Sequence, residues 1–188
     1  MVEKDVYTNE GGNIANVFFM NAVTTGLESG EISWVEKFIA EKGELLKDDS
    51  RVDTLNFCMA NLSYFKKEYD SSIKYLALIS TDDMSYKLNI RSVYLKLYFD
   101  MNEIEPFLSH VDTYRHFMSG NRLVPEHLKV PVNNYINFTN RIFLAKNKIG
   151  KHNEFDLPAL KREIKESKIL INRPWLLKKI EEIEQYSI

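Results

Sequence analysis

The sequence predicts an all-α protein built from antiparallel helical hairpins. Hydrophobic residues make up 44% and charged residues 28% of the 188 residues, with only 7 Gly and 5 Pro, a composition typical of a folded, helix-rich chain. Three similar segments begin at Glu31, Glu68 and Glu103, at intervals of 37 and then 35 residues. Each segment places apolar or ring-bearing side chains on one helical face, which predicts a repeated helical unit.

Three hairpins are predicted, at about residues 13–45, 50–82 and 86–119. Their paired helices are expected near residues 13–28 and 32–42, 52–66 and 69–79, and 86–100 and 103–118. The turns within the hairpins have only three or four residues, so the two helices of each pair must run antiparallel. Ser50 is predicted to cap the third helix, and the polar residues 80–83 to cap the fifth.

The first helices of the hairpins share apolar columns. One column contains Phe18, Leu55 and Ile90, and a second contains Ala22, Met59 and Tyr94. Steps of four and five residues within each copy describe amphipathic helices. We therefore expect the first helix of each hairpin to have one apolar face.

A divergent helical cap is predicted from residue 125 to residue 188. Its long helix ends near Asn147 and begins at either Pro125 or Pro131, because proline is favoured in a first turn and disrupts a helix interior. The polar stretch 146–155 is expected to be a loop. Asp156 then caps a basic helix that runs to Lys168, and a last helix follows from residue 172 to about residue 185. We expect residues 1–188 to form one domain.

The central hairpin has small side chains at its predicted helix crossing, Ala60 and Ser72, and its second helix opens with Tyr69 and Asp70. In length and in these positions it resembles the tetratricopeptide repeat. That resemblance implies an α-solenoid, a right-handed superhelix of about four hairpins whose concave groove binds a peptide or protein segment. The stretches 24–39, 94–99, 112–117 and 174–177 also resemble the carboxy-terminal portion of larger uncharacterised bacterial helical-repeat proteins. This second resemblance suggests that the chain is a fragment of a longer protein.

The resemblance to tetratricopeptide repeats also implies which side chains face the groove. Two wall-facing columns result, one with Met20, Phe57 and Ser92 and the other with Thr24, Asn61 and Lys96. Together they offer amide and ammonium hydrogen bonds beside an apolar surface. We expect a protein or peptide partner at this wall.

The long helix adds a second candidate surface. Asn133, Asn137 and Asn140 recur at helical spacing beside Arg141, and Arg115 extends the set from the third hairpin. An amide-rich face can hydrogen-bond a peptide backbone, although a merely solvated face is the commoner explanation of such a pattern. The opposite, core-facing stripe is predicted to contain Val132, Tyr135, Ile136, Thr139, Ile142 and Phe143.

No sequence signature of catalysis, cofactor binding or metal binding is present, so we expect a non-enzymatic protein. The chain lacks a phosphate-binding glycine loop, a nucleophile elbow and a paired-histidine zinc helix. His110 occupies a core column, which predicts a packed imidazole rather than a ligand. Cys58 is the only cysteine, so a reduced, buried thiol in the cytoplasm is expected. The longest apolar runs are far too short to cross a membrane.

The charge distribution leaves one alternative open. Residues 1–105 hold 18 acidic and 11 basic residues, whereas residues 106–188 hold 9 acidic and 14 basic residues. The basic second half could bind nucleic acid, but Glu163 and Glu166 interrupt its most basic helix, and phosphate binding rewards uncompensated positive charge. Nucleic-acid binding is therefore the weaker hypothesis, and solvated helix faces that differ in charge explain the asymmetry without any partner.

Overall fold

The computed structural model describes residues 12–150 and 156–186, except for the side chains of Asp48 and Tyr186. In this part of the chain there is no β-strand, and the all-α prediction is confirmed. The helices are α1 (Asn16–Glu28), α2 (Ile32–Lys42), α3 (Asp48–Phe65), α4 (Tyr69–Ala77), α5 (Met84–Met101), α6 (Ile104–Gly120), α7 (Glu126–Asn147), α8 (Leu157–Glu166) and α9 (Arg173–Tyr186). A short 3₁₀ turn, Gly43–Leu45, precedes α3.

Two predicted caps fare differently. Asp83 caps α5 as expected, because its carboxylate accepts hydrogen bonds from the N–H groups of Ser85 at 2.7 Å and Tyr86 at 3.3 Å. The predicted Ser50 cap is wrong, since α3 already begins at Asp48. The guanidinium of Arg51 donates to the backbone oxygens of Glu44 and Leu46, at 2.9 and 3.0 Å. These bonds tie the 3₁₀ turn to the start of α3. The N-cap residue of α3, Lys47, makes no side-chain capping hydrogen bond.

The bounds of the cap helices also resolve the choice between the two prolines. Helix α7 begins at Glu126, directly after Pro125, and Pro131 lies within it. Asp156 caps α8 by accepting a hydrogen bond from the N–H of Ala159 at 2.8 Å. Of the expected loop at 146–155, residues 151–155 lie outside the described residues.

The chain divides into two compact units, Met1–Leu97 and Tyr98–Ile188, and α5 continues from the first into the second. In the first unit, α3 is the central helix, which packs against α1, α2 and α4. In the second unit, α7 has the same role and packs against α6, α8 and α9. Each unit therefore gathers its apolar residues around one long helix.

Three of the turns between consecutive helices share one backbone geometry. Gly30, Lys67 and Asn102 have positive φ angles of 81°, 62° and 59°. In each turn the N–H of the next residue, a glutamate, donates to the carbonyl oxygen five residues earlier, with distances of 2.9, 2.8 and 3.1 Å. This is the Schellman motif, which satisfies the free carbonyls at a helix end and reverses the chain. The reversals lie 37 and 35 residues apart, which is the interval of the sequence repeat.

The central hairpin is joined by a close contact between small residues. Ala60 and Ser72 have no exposed surface, and the Ser72 hydroxyl donates to the backbone oxygen of Ala60 at 2.7 Å. Larger side chains at either position would push α3 and α4 apart. The predicted small-residue contact is confirmed.

The core of the second unit is aromatic. Phe107 and Phe143 stack with ring centroids 3.8 Å apart, and the ring of Phe99 meets both edge-on. All six residues of the predicted core stripe in α7 are buried. The helical period of the sequence was therefore sufficient to orient α7.

A buried ion pair joins α5 to α9 within the second unit. The ammonium of Lys179 lies 2.6 Å from the carboxylate of Asp100, and the two side chains are only 10% and 11% exposed. Burial alone would lower the pKa of Lys179, but the charge and the hydrogen bond of Asp100 outweigh it and raise this pKa above its ordinary value. Removing one partner would leave the other charge buried without this ion pair.

The left-handed turn predicts opposite effects for one substitution at two glycines. Gly30→Ala should cost about 1 kcal/mol of stability, because a β-carbon is strained at positive φ. Gly120→Ala should instead stabilise by about 0.4–1 kcal/mol, because Gly120 ends α6 with nothing within 4 Å of an added β-carbon and alanine restricts the unfolded chain. Urea unfolding measures both changes, and equal shifts of the same sign would contradict this account of the turn.

The buried ion pair predicts a strong response to Lys179→Met. Loss of the ammonium should cost about 3–5 kcal/mol, because the Asp100 carboxylate stays buried and loses its ion pair with Lys179. Adding Asp100→Asn should recover part of that loss, since the buried charge is then removed. The matched control is Lys178→Met at the exposed neighbouring position, which should change the free energy of unfolding by less than about 0.5 kcal/mol. Equal effects at 178 and 179 would argue against a buried pair.

Candidate binding surfaces

Three of the predicted groove residues lie in the core of the first unit. Met20, Phe57 and Asn61 are all buried. The ring of Phe57 meets that of Tyr86 edge-on at 6.1 Å, and the amide of Asn61 donates to the backbone oxygen of Phe57 at 2.8 Å. The expectation that these side chains face an open groove is wrong. Because α3 packs against three helices, the polar side chain of Asn61 is enclosed as well.

The other three members of the two columns reach the surface. Thr24, Ser92 and Lys96 are half-buried, on α1 and α5. Their role in binding stays a prediction. Without the apolar side chains of Met20 and Phe57 beside them, any contact with a partner at these positions would be mainly polar.

A polar pocket lies between α6 and α7 in the second unit. Its volume is about 280 Å³, and its lining residues are Arg115, His116, Ser119, Asn133 and Asn137. The Arg115 guanidinium donates to the side-chain oxygen of Asn137 at 2.9 Å and lies 3.7 Å from the carboxylate of Asp112. Two of the predicted amides and the predicted arginine are therefore brought together, and we call this site the polar pocket.

The remaining two residues of the predicted α7 face have other neighbours. Arg141 forms a two-pronged ion pair with Glu163 of α8, with N–O distances of 2.5 and 2.9 Å. These hydrogen bonds raise the pKa of Arg141 and lower that of Glu163. Asn140 is half-buried, and its side-chain oxygen finds no hydrogen-bond donor among the described residues. The predicted face therefore divides, and its first half lines the polar pocket.

An aromatic pocket of about 560 Å³ lies at the surface of the first hairpin. Its lining residues are Phe18, Asn21, Ala22, Thr25, Gly26 and Ser29 of α1 and the turn, together with Glu31 and Trp34. Trp34 is 43% exposed although it stacks on Phe38, and Phe18 is also exposed. In this first copy the column of Phe18 therefore lies at the surface. The sequence carried one unused signal, the tryptophan at the start of α2.

Gly26 brings the walls of the aromatic pocket close together. A β-carbon at this position would lie 2.7 Å from Val35 and 3.0 Å from the ring of Trp34. Because Gly26 has no side chain, α1 can approach α2 closely, and the indole of Trp34 can lie against α1. The shape of the aromatic pocket therefore depends on a glycine as well as on aromatic rings.

His110 and Cys58 have packed surroundings. His110 contacts the rings of Tyr98 and Tyr114, at 5.6 and 6.0 Å. Cys58 is buried, and burial raises the pKa of its thiol. Among the described residues, no three His, Cys, Asp or Glu side chains are grouped so that they could hold a metal ion. In the same residues no helix is long and apolar enough to span a membrane.

The contrast between Asn61 and Asn137 predicts opposite outcomes for one substitution. Asn61→Asp should cost about 2 kcal/mol or more at pH 7, because it buries a carboxylate against a carbonyl oxygen. Asn137→Asp should be tolerated within about 0.5 kcal/mol, since that side chain is exposed beside Arg115. Chemical denaturation at pH 7 distinguishes the two variants.

The loss in Asn61→Asp should also depend on pH. Burial raises the pKa of the new carboxyl in the folded protein above its value in the unfolded chain. Stability therefore falls as pH rises from about 4, the unfolded value, and the deficit should shrink toward pH 4. A deficit that is the same at pH 4 and pH 7 would contradict burial of the new carboxyl at residue 61.

Comparison with known proteins gives no counterpart for this chain: no family model, curated protein or solved structure matches it. The resemblance to tetratricopeptide repeats therefore rests on the spacing of the sequence repeat and on the residues of the hairpin crossing.

Proposed function

We propose that this chain is a non-enzymatic interaction module that binds a segment of another protein. The observation that carries the proposal is the polar pocket, where hydrogen-bonding side chains from two helices converge at the surface. Arg115 supplies a charge, and Asn133 and Asn137 supply amides. A fixed guanidinium beside amides is suited to a peptide carboxylate and its neighbouring backbone.

The size of the polar pocket supports a peptide rather than a cofactor. Pockets for small molecules commonly have volumes of about 300–1,000 Å³ and are mainly apolar. The polar pocket, at about 280 Å³, lies just below that range and is lined by polar side chains. This volume fits one side chain of a partner, with the adjoining backbone on the amides.

The side-chain hydrogen bonds give the polar pocket a defined polarity. Because the oxygen of Asn137 already accepts a hydrogen bond from Arg115, its NH₂ group is left as a donor. The side-chain amide of Asn133 has no hydrogen-bond partner among the described residues. The polar pocket therefore offers more donors than acceptors, which favours an acidic side chain or a carbonyl oxygen of the partner.

As a finer architecture we propose a right-handed superhelix of tetratricopeptide-like hairpins, the arrangement of an α-solenoid scaffold. The matching turns at Gly30, Lys67 and Asn102 support this arrangement, because the same reversal recurs at the repeat interval. In such a scaffold Thr24, Ser92 and Lys96 would line the groove. The buried single thiol of Cys58 supports a cytoplasmic location.

Nucleic-acid binding through the basic second half is the weaker proposal. Lys161 of α8 is paired with Glu184 at 2.9 Å and Glu181 at 3.4 Å, and Arg141 is paired with Glu163. These acidic partners reduce the uncompensated charge that phosphate binding requires.

Photo-cross-linking tests the peptide-binding proposal. A benzophenone side chain at position 133 should capture a polypeptide from a lysate of the source cells, whereas the same group at the exposed position 74 on α4 should not. Adding Arg115→Ala and Asn137→Ala should lower the yield about tenfold or more, the effect expected from losing a charged hydrogen bond. Helix content and unfolding midpoint serve as controls for folding. Equal capture at positions 133 and 74 would contradict the proposal, and a nuclease-sensitive product would favour nucleic acid instead.

A further inference from the structure

The aromatic pocket on the first hairpin has a counterpart on the second. A cavity of about 370 Å³ lies between α2 and α3, and its lining residues are Glu36, Ile39, Ala40, Met59, Leu62, Ser63, Lys66 and Glu68. Five of these residues lie 37 positions after residues that line the aromatic pocket. The pairs are Ala22 and Met59, Thr25 and Leu62, Gly26 and Ser63, Ser29 and Lys66, and Glu31 and Glu68.

The same interval separates the two left-handed turn residues, Gly30 and Lys67. The two pockets therefore occupy the same place on successive hairpins, as defined by both side chains and backbone. Because the two places are equivalent, what covers the pocket on the second hairpin indicates what could bind the pocket on the first.

The two hairpins differ in what covers this place. On the second hairpin, helix α2 lies over it and contributes Glu36, Ile39 and Ala40. Among the described residues, no element outside the first hairpin lines the equivalent place on that hairpin. There the volume is about 560 Å³ and Trp34 is 43% exposed. On the second hairpin, therefore, a helix covers this place.

The charges differ as well. Lys66 pairs with Glu36 of the covering helix at 3.1 Å and with Glu68 of its own hairpin at 3.4 Å. On the first hairpin Ser29 stands in place of Lys66, whereas the acidic residue is kept as Glu31. A covering helix with an acid in the place of Glu36 would meet Glu31 with no lysine between them. A basic residue at that place would be attracted instead.

We propose that the aromatic pocket docks an amphipathic helix of a partner protein, laid over α1 as α2 lies over α3. The partner helix carries lysine or arginine opposite Glu31 and, three and four residues later, an aliphatic and a small residue against Trp34 and Ala22. This is helix-in-groove recognition, in which spaced anchors set the register. The site is separate from the polar pocket, so failure of one proposal leaves the other intact.

The probe that tests this proposal can be taken from the chain itself. A fluorescein-labelled, hydrocarbon-stapled peptide with the sequence of Ile32–Lys42 and the change Glu36→Lys should bind the full chain saturably, as measured by fluorescence anisotropy. Stapling is needed because a helix of 11 residues is marginal in water. The unaltered peptide, with glutamate at that place, is the matched control and should bind at least about tenfold more weakly.

Variants of the full chain then locate the site. Trp34→Ala should weaken binding of the basic peptide at least about tenfold, and Glu31→Lys should reverse the preference between the two peptides. Leu78→Ala, at an exposed leucine on another hairpin, should change nothing. Glu31→Lys keeps the test decisive even if Trp34→Ala unfolds. The proposal is overturned if neither peptide binds, if binding ignores both substitutions, or if sedimentation shows that a second copy of the chain occupies the aromatic pocket through Trp34.

Discussion

The Schellman turn is the constraint on which the helical hairpins depend. A residue in the left-handed conformation ends one helix. The N–H of the residue after it donates a hydrogen bond to a backbone oxygen in the last turn of that helix. In the three turns that next residue is a glutamate, namely Glu31, Glu68 or Glu103. Its backbone oxygen accepts the first hydrogen bond of the following helix. The turn therefore fixes both the end of one helix and the start of the next. This backbone geometry therefore sets the direction in which each side-chain column of the paired helices points.

Much of this local order could be predicted from the sequence, because helix period and turn length are local properties. The bounds of α2 agree with the prediction, and the stripe of α7 from Val132 to Phe143 is buried as expected. Which polar columns stay open could not be predicted. Asn61 fits a groove position by spacing, but α3 packs against three other helices and encloses it. Burial of a central helix depends on distant parts of the chain, and repeat spacing alone does not report it.

The candidate surfaces differ in chemistry in a way that suits a scaffold. The polar pocket offers a guanidinium and two amides, so its recognition would come from directed hydrogen bonds. The aromatic pocket offers an indole beside a close helix contact at Gly26, so its recognition would come from shape and apolar area. Under the proposed function, sites this different would select different partners. A chain with both sites would then bring two proteins together.

The burial of Cys58 has a practical consequence. Because its side chain has no exposed surface and burial raises the pKa of its thiol, the folded chain presents neither access nor thiolate to an alkylating reagent at neutral pH. Modification of this cysteine requires α3 to open. The rate of thiol labelling in the native protein therefore measures how often α3 opens. Cysteines introduced at the surface can carry probes without background labelling of Cys58.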